Sequence, residues 1–261
     1  MGNMIESLYY AWKSRRAWWF TATARTKARF ARTIFGGFWL GLSNLLSIMA
    51  LATVYGTVFK VNHFPTYIVY VGLGLVTWNS LSGAISSAPT LFEHNASQLR
   101  NTNLDPIFYT LEEWAFQVQT FLQSFALVLI GLTFFDRSLP LHMITSGWLP
   151  LANFIVFIYW VPLLICLLGA RYRDTYQLVP IALQLVFLLS PILYEKKNLG
   201  ALGWTADFNP IYRVISPLRA SLLHGSIDLP QVLAISTMNI AGLIISLWLL
   251  NKERKFLPFI V

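Results

Sequence analysis

RTKARFARTIFGGFWLGLSNLLSIMALATVYGTVF, residues 25–59, decides how the rest of the chain is arranged. Arg25, Lys27, Arg29 and Arg32 stop abruptly, and the 27 residues from Thr33 to Phe59 carry no formal charge. At about 1.5 Å per residue such a helix exceeds the roughly 30 Å hydrocarbon core of a bilayer. It predicts a membrane span with room to tilt. Basic flanks stay on the cytoplasmic side, so the amino terminus is expected inside and each later crossing inherits its direction.

Composition agrees with this reading. Hydrophobic residues make up 56% of the 261 and charged residues only 11%, against about 25% charge in a soluble domain. The net charge of +8 does not indicate nucleic acid, because seven of the 19 basic residues lie between Lys13 and Arg32, beside the first span. Cys166 lies in an apolar run, has no internal disulfide partner and is expected buried. No cleavable signal peptide is expected, since the first apolar run starts late and is too long.

Residues 1–32 interleave Tyr9, Tyr10, Trp12, Trp18, Trp19 and Phe20 with Lys13, Arg15 and Arg16, a pattern suited to an amphipathic interface helix. The first span, 34–59, carries Gly37 and Gly41 at a spacing that permits close helix contact. A second, 67–92, is apolar up to Trp78 and then turns to NSLSGAISSAP, which suits contact with protein or water better than with lipid. Its Leu81–Gly83 resembles part of an ATPase signature only superficially. The polar stretch Glu93–Glu113 returns inside, with Asn103 or Asp105 placed to cap a helix that has Pro106 in its first turn. Further spans are expected at 114–135, 148–170 (with Pro150 and Pro162), 176–194 (with Pro180 and Pro191) and 232–250, before the basic tail 251–261. The outer segment 196–230 reads as short helices dipping into the membrane edge. The expected fold is therefore an all-α polytopic membrane protein with six spans and both termini cytoplasmic. Thirteen basic residues fall inside and six outside, in keeping with that orientation.

No GxxxxGK[ST], HExxH, CxxC or GxSxG occurs, so no catalytic or metal site is assigned. His63, His142 and His224 are expected outside and His94 inside. Glu112 and Glu113 are adjacent, point different ways on a helix and are read as a solvated boundary of the third span. As drawn, no span contains Asp, Glu, Lys or Arg, which speaks against an ion-coupled carrier. Aromatic and small polar groups remain for cargo: Trp78, Asn79, Ser82, Ser86, Phe187, Tyr194, Trp204 and Tyr212.

RFARTIFGGFWLGLSNLL (29–46), YVGLGLVTWNSLSGAISS (70–87), GARYRDTYQLVPIALQLVFLLSPILY (169–194) and NPIYRVISPLRASLLHG (209–225) together resemble the transmembrane subunit of ABC-2-type exporters, above all the O-antigen and capsular polysaccharide permeases of bacteria. The matching points are Arg171, Arg173, Asp174, Ser190, Pro191, Asn209, Pro210 and Arg219. The resemblance implies a homodimer with two cytosolic ATPase subunits that hold the ATP and magnesium, no cofactor in this chain, and a bacterial inner-membrane location. It implies ATPase coupling through 93–106, by way of Glu93, Ser97, Arg100, Asn101 and Asp105. The outer segment 196–230 becomes gate helices, and Arg171, Arg173, Asp174, Pro180, Pro191, Pro210 and Arg219 become conformational turns and gate residues. The implied cargo is a glycan on undecaprenyl diphosphate. Export of another lipid, teichoic acid or a drug is the alternative within the family; a membrane enzyme or ion-coupled carrier is the alternative outside it.

Overall fold

The computed structural model describes residues 4–102, 104–254 and 256–260, which form helices and turns with no strand among them. Asn103, one of the two expected caps, and Lys255 of the tail lie outside the described residues.

Two amphipathic helices open the chain, α1 (Met4–Lys13) and α2 (Arg15–Arg29), turning Ser7, Ala11, Ala22 and Thr26 inward and Ile5, Tyr9, Trp12 and Phe20 outward. After a turn in which Gly36 takes φ +54°, α3 (Phe38–Val58) begins four residues later than the sequence suggests. Next come α4 (Phe64–Ser87), a 3-10 turn at Ala88–Thr90 that accommodates Pro89, α5 (Leu91–His94) and α6 (Ala96–Asn101). The long α7 (Pro106–Leu132) starts eight residues before the expected Trp114. Its early start has a local cause: the Asp105 carboxylate accepts the Ile107 N–H at 3.1 Å, and Pro106 occupies the first turn, where its missing N–H is not needed. Glu112 and Glu113 are thereby drawn into a helix expected to be free of charge.

The short α8 (Leu139–His142) passes through a π turn into α9 (Trp148–Arg171), and Pro162 does not interrupt it. Then α10 (Thr175–Leu189) stops where Ser190 turns extended, as a residue before proline prefers. A 3-10 turn, α11 (Gly203–Phe208) and α12 (Pro210–His224) precede α13 (Leu229–Glu253) and α14 (Leu257–Ile260). Among the described residues, five segments are long and apolar enough to cross a membrane: α3, α4 with α5, α7, α8 with α9, and α13. The remaining expected span, 176–194, is the fifteen-residue α10 followed by extended chain. Such a helix rises only about 22 Å.

At the centre stands α4, buried along most of its length, whereas α3 buries only Gly41, Ile48, Ala52 and Gly56. Lipid tails are as apolar as Leu, so helices associate through fit and polar contacts rather than through the hydrophobic effect. Along α3 and α7 the fit is a ladder of small against large residues. Gly37 faces Gln123, Gly41 faces Leu127, and Gly131 in turn receives Leu45; added methyl groups at Gly41 or Gly131 would overlap those leucines. Between α9 and α13 the contact is polar, with Asn153 bonded to Ser236 (3.0 Å) and Asn239 (3.1 Å), and Trp160 donating to Asn239 at 2.9 Å.

The short α10 runs against α4 from end to end. Its first turn lies against Ala88–Thr90, with Tyr176 beside Glu93. Beyond its other end, the Tyr67 hydroxyl donates to the Leu193 carbonyl (2.5 Å), and Tyr70 is within 3.1 Å of Pro191 O and 2.9 Å of Tyr194 O.

Candidate translocation groove and coupling elements

On α4, Trp78 packs on Phe187 of α10, ring centroids 5.2 Å apart, while Asn79 donates to Asn44 of α3 at 2.7 Å. At about 100° per residue, Ser82 and Ser86 fall between those two directions. Asn79 and Ser86 are exposed, Ser82 is half-buried, and a methyl group added at Gly83 would meet nothing within 4 Å. The hydroxyl-rich half of α4 therefore forms a polar strip between α3 and α10. Asn44 braces it, donating also to Ser124 at 2.7 Å. The apolar α10 buries only Val179.

The aromatic residues expected to contact cargo separate into different environments. Trp78 is buried, 6% exposed, and belongs to the α4–α10 contact. Phe187 is half-buried against it. Tyr194 stacks edge-on with Phe59 at 6.4 Å and bonds to the Leu188 carbonyl, bridging the ends of α3 and α10. Trp204 is exposed and packs on Phe208; Tyr212 lines a cavity at the end of the bundle remote from α5 and α6.

The breaks at Ser190-Pro191 and Asn209-Pro210 meet. Asn209 caps α12 by accepting the Ile211 and Tyr212 N–H groups and donates to the Ser190 hydroxyl at 2.6 Å. Arg219, further along the same helix, donates to the Pro191 carbonyl at 3.1 Å and stacks over Tyr70 at 3.7 Å. It is 4% exposed and braces α12 internally against residue 191 and α4. Gly74 provides the space: a methyl group there would press on both the Arg219 guanidinium and the Ile192 carbonyl at 3.2 Å. Pro180 lies inside α10 and is exposed, as is Pro210.

At the opposite end, Glu93, Ser97, Arg100 and Asn101 are exposed on α5 and α6, which are anchored by buried Phe92 and Leu99. Asp105 departs from that group. Besides capping α7 it accepts from Arg254 at 2.8 Å and Ser7 at 3.3 Å, joining both ends of the chain to the start of α7. Arg171 reaches Glu253 at 3.9 Å, while Arg173 and Asp174 are exposed in the turn before α10.

Glu113 corrects the sequence reading. Rather than marking a solvated boundary, it is 7% exposed inside α7 and accepts from Arg25 of α2 at 2.6 Å, Gln117 at 2.7 Å and Ser87 of α4 at 3.3 Å. Arg25 also lies over the Phe116 ring at 4.1 Å. Nearby, Gln119 donates to Thr23 at 3.0 Å and accepts from Thr26 at 3.2 Å. The available signal was Gln117 and Gln119 following Glu113 in an otherwise apolar run; their partners on α2 lie too far back in sequence to be read from it. Asn44 and Ser124 were missed for the same reason.

Comparison with known proteins places this geometry. The ABC-2 type transporter family matches residues 19–223. Two proteins of Klebsiella pneumoniae, both described as O-antigen export system permease protein RfbA, are 21% and 20% identical to the chain over 229 residues, covering 87% of this chain and 88% of each relative. The family match runs from α2 into α12 and takes in the polar strip of α4. This chain, a membrane subunit built of apolar helices, belongs to the ABC-2 type transporter family.

Proposed function

We propose that the protein is the permease of an ATP-driven exporter that moves a lipid-linked glycan of the O-antigen or capsule type, carried on undecaprenyl diphosphate, across the bacterial inner membrane. The observation that carries this reading is the alignment over 87% of the chain to permeases described as exporting O-antigen. Two copies enclose the pathway and two cytosolic ATPase subunits, holding ATP and magnesium, drive it. Supporting the dimer is the polar strip at Asn79, Ser82 and Ser86 beside α10: polar groups left exposed on a membrane helix need a second surface or water rather than lipid. The sixth crossing is made by α10 with residues 190–194: its contacts run from Ala88–Thr90 to Tyr67, the length of α4, which supports six spans with both termini cytoplasmic. Glu93, Ser97, Arg100 and Asn101 then face the ATPase, and α11 and α12 form the outer gate.

The sugar travels along Asn79, Ser82 and Ser86, where hydroxyls and amides replace part of its hydration, while Tyr194, Trp204 and Tyr212 offer flat faces at the exit. Phosphate release by the purified permease, with and without a co-expressed ATPase, together with surface glycan in cells lacking the gene, tests the proposal. Hydrolysis that requires the partner, and loss of surface glycan on deletion, are expected. Sustained hydrolysis by the pure permease, or unchanged surface glycan, contradicts it.

A further inference from the structure

At the end of the bundle remote from α5 and α6, the α3–α4 turn, the first turns of α4, residues 195–198 and α12 enclose a cavity of about 670 Å³. Its wall carries Lys60, His63, Lys196, Lys197, Arg219 and His224 against a single carboxylate, Glu195. Two of these cations are already neutralised, since Lys197 pairs with Glu195 and Lys196 with Asp207. Lys60 and Arg219 are not: among the described residues no carboxylate lies within 4.0 Å of either. A guanidinium that is 4% exposed and balanced by a carbonyl and the faces of Tyr70 and, at 5.9 Å, Tyr212, with no carboxylate, is an incompletely compensated buried charge, and it borders open space.

Lys60 supplies an independent sign. It has φ +50° and is the one non-glycine residue with positive φ among those described. Val61 N–H bonds to Gly56 O at 3.0 Å across it, the helix-ending turn in which this position is usually glycine. A β-carbon is disfavoured in that conformation, so the lysine is held at a place where glycine would be more stable. Nothing about ending α3 requires its ammonium group. An ammonium there suits the carbonyl end of α3, and it also lines the cavity.

We infer that this cavity is an anion site for the phosphate of a membrane lipid headgroup, with Arg219 and Lys60 as its cationic anchors. Phosphate fits better than carboxylate because it carries charge for both cations and can take a guanidinium through two oxygens. The volume exceeds a phosphate alone, and Thr66, Ser216 and Tyr212 add hydroxyls for a hydroxyl-bearing headgroup attached to it. The phosphate has two sources, the diphosphate of the exported carrier or an ordinary anionic phospholipid of the leaflet. Only the first rests on the export reading.

The test titrates the full-length permease in neutral detergent with phosphatidylcholine, phosphatidylglycerol, a polyprenyl diphosphate and inorganic phosphate, and follows each variant by thermal melting. Saturable, salt-sensitive binding of at least one anionic lipid above phosphatidylcholine is expected, displaced by inorganic phosphate. Preference for the diphosphate identifies the carrier as the ligand; equal binding of both anionic lipids identifies leaflet phospholipid. Lys60→Gly is expected to weaken binding about fivefold while melting no lower than the parent, and Arg219→Gln to weaken it about tenfold or more. Parental affinity in Lys60→Gly, no discrimination against phosphatidylcholine, or failure of inorganic phosphate to compete overturns the site. Loss of the site with ATPase-dependent export intact leaves the export reading standing; intact binding with surface glycan unchanged on deletion of the gene does the reverse.

Discussion

Arg25 of the second amphipathic helix donates to Glu113 of α7 across 2.6 Å, joining residues 88 apart in sequence. The glutamate is nearly enclosed while the arginine is 46% exposed, so the pair is half in water and weaker than a fully buried one. Glu113 also accepts from Ser87 near the end of α4. Displacement of α2 is therefore felt directly at both α4 and α7.

Removing one partner leaves the other without its charge. Arg25→Ala is expected to destabilise the docking of α2 by about 1–2 kcal/mol, and Glu113→Ala by a similar amount through the orphaned arginine and Gln117. The double variant should lose less than the sum. Thermal melting of the four proteins, with protease cleavage in the arm as a local readout, gives the coupling; strict additivity contradicts a direct interaction.

Asp105 holds two roles that substitution separates. Asparagine keeps the cap on Ile107 but loses the charge opposite Arg254, whereas alanine loses both. The expected stability order is parent, Asp105→Asn, then Asp105→Ala, with about 1 kcal/mol between the last two. Equal melting of the two variants would show that the cap contributes nothing.

The exposed faces of α5 and α6 give a crosslinking test. Cys166 is 1% exposed, and burial among apolar groups leaves it inert, so it need not be removed. Cysteine introduced at Ser97 or Asn101 is expected to crosslink to the ATPase in the assembled complex, and cysteine at buried Leu99 is not. Labelling of Ser97 and Asn101 variants solely from the outer side of intact cells would reverse the orientation.

Neighbouring positions on α4 should respond in opposite ways. Gly83 looks into open space, so Gly83→Leu is expected to change stability by no more than about 0.5 kcal/mol while obstructing the strip and reducing glycan export. Trp78 fills the α4–α10 contact, and Trp78→Ala is expected to cost about 3 kcal/mol. Export at matched protein abundance, read beside melting, separates them. Full export by Gly83→Leu would place the pathway elsewhere.

Much of this protein is fixed by local sequence. Charge-free runs longer than a bilayer, from Thr33 and again from Tyr67, require helices because backbone groups have no other partners in lipid. Asp105 with Pro106, Ser190 with Pro191, and Asn209 with Pro210 set helix ends through bonds and torsions within three residues, which is why these breaks are legible in the chain. The polar half of α4 likewise declares itself by composition. Tertiary structure decided the rest. Trp78 turns to α10 and Asn79 to α3, a distinction of about 100° that a helix apolar on nearly every side does not encode. Glu113 looks like a charged boundary until Arg25 comes to it, and Asp105 like a coupling contact until Arg254 arrives from 149 residues away. Arg219 gives no sign in the sequence of being buried, and Gly74 and Tyr70 make a place for it inside. Sequence determines where polar groups are located along each helix, but in a membrane bundle their energy depends on which partner, often on a distant helix, replaces water.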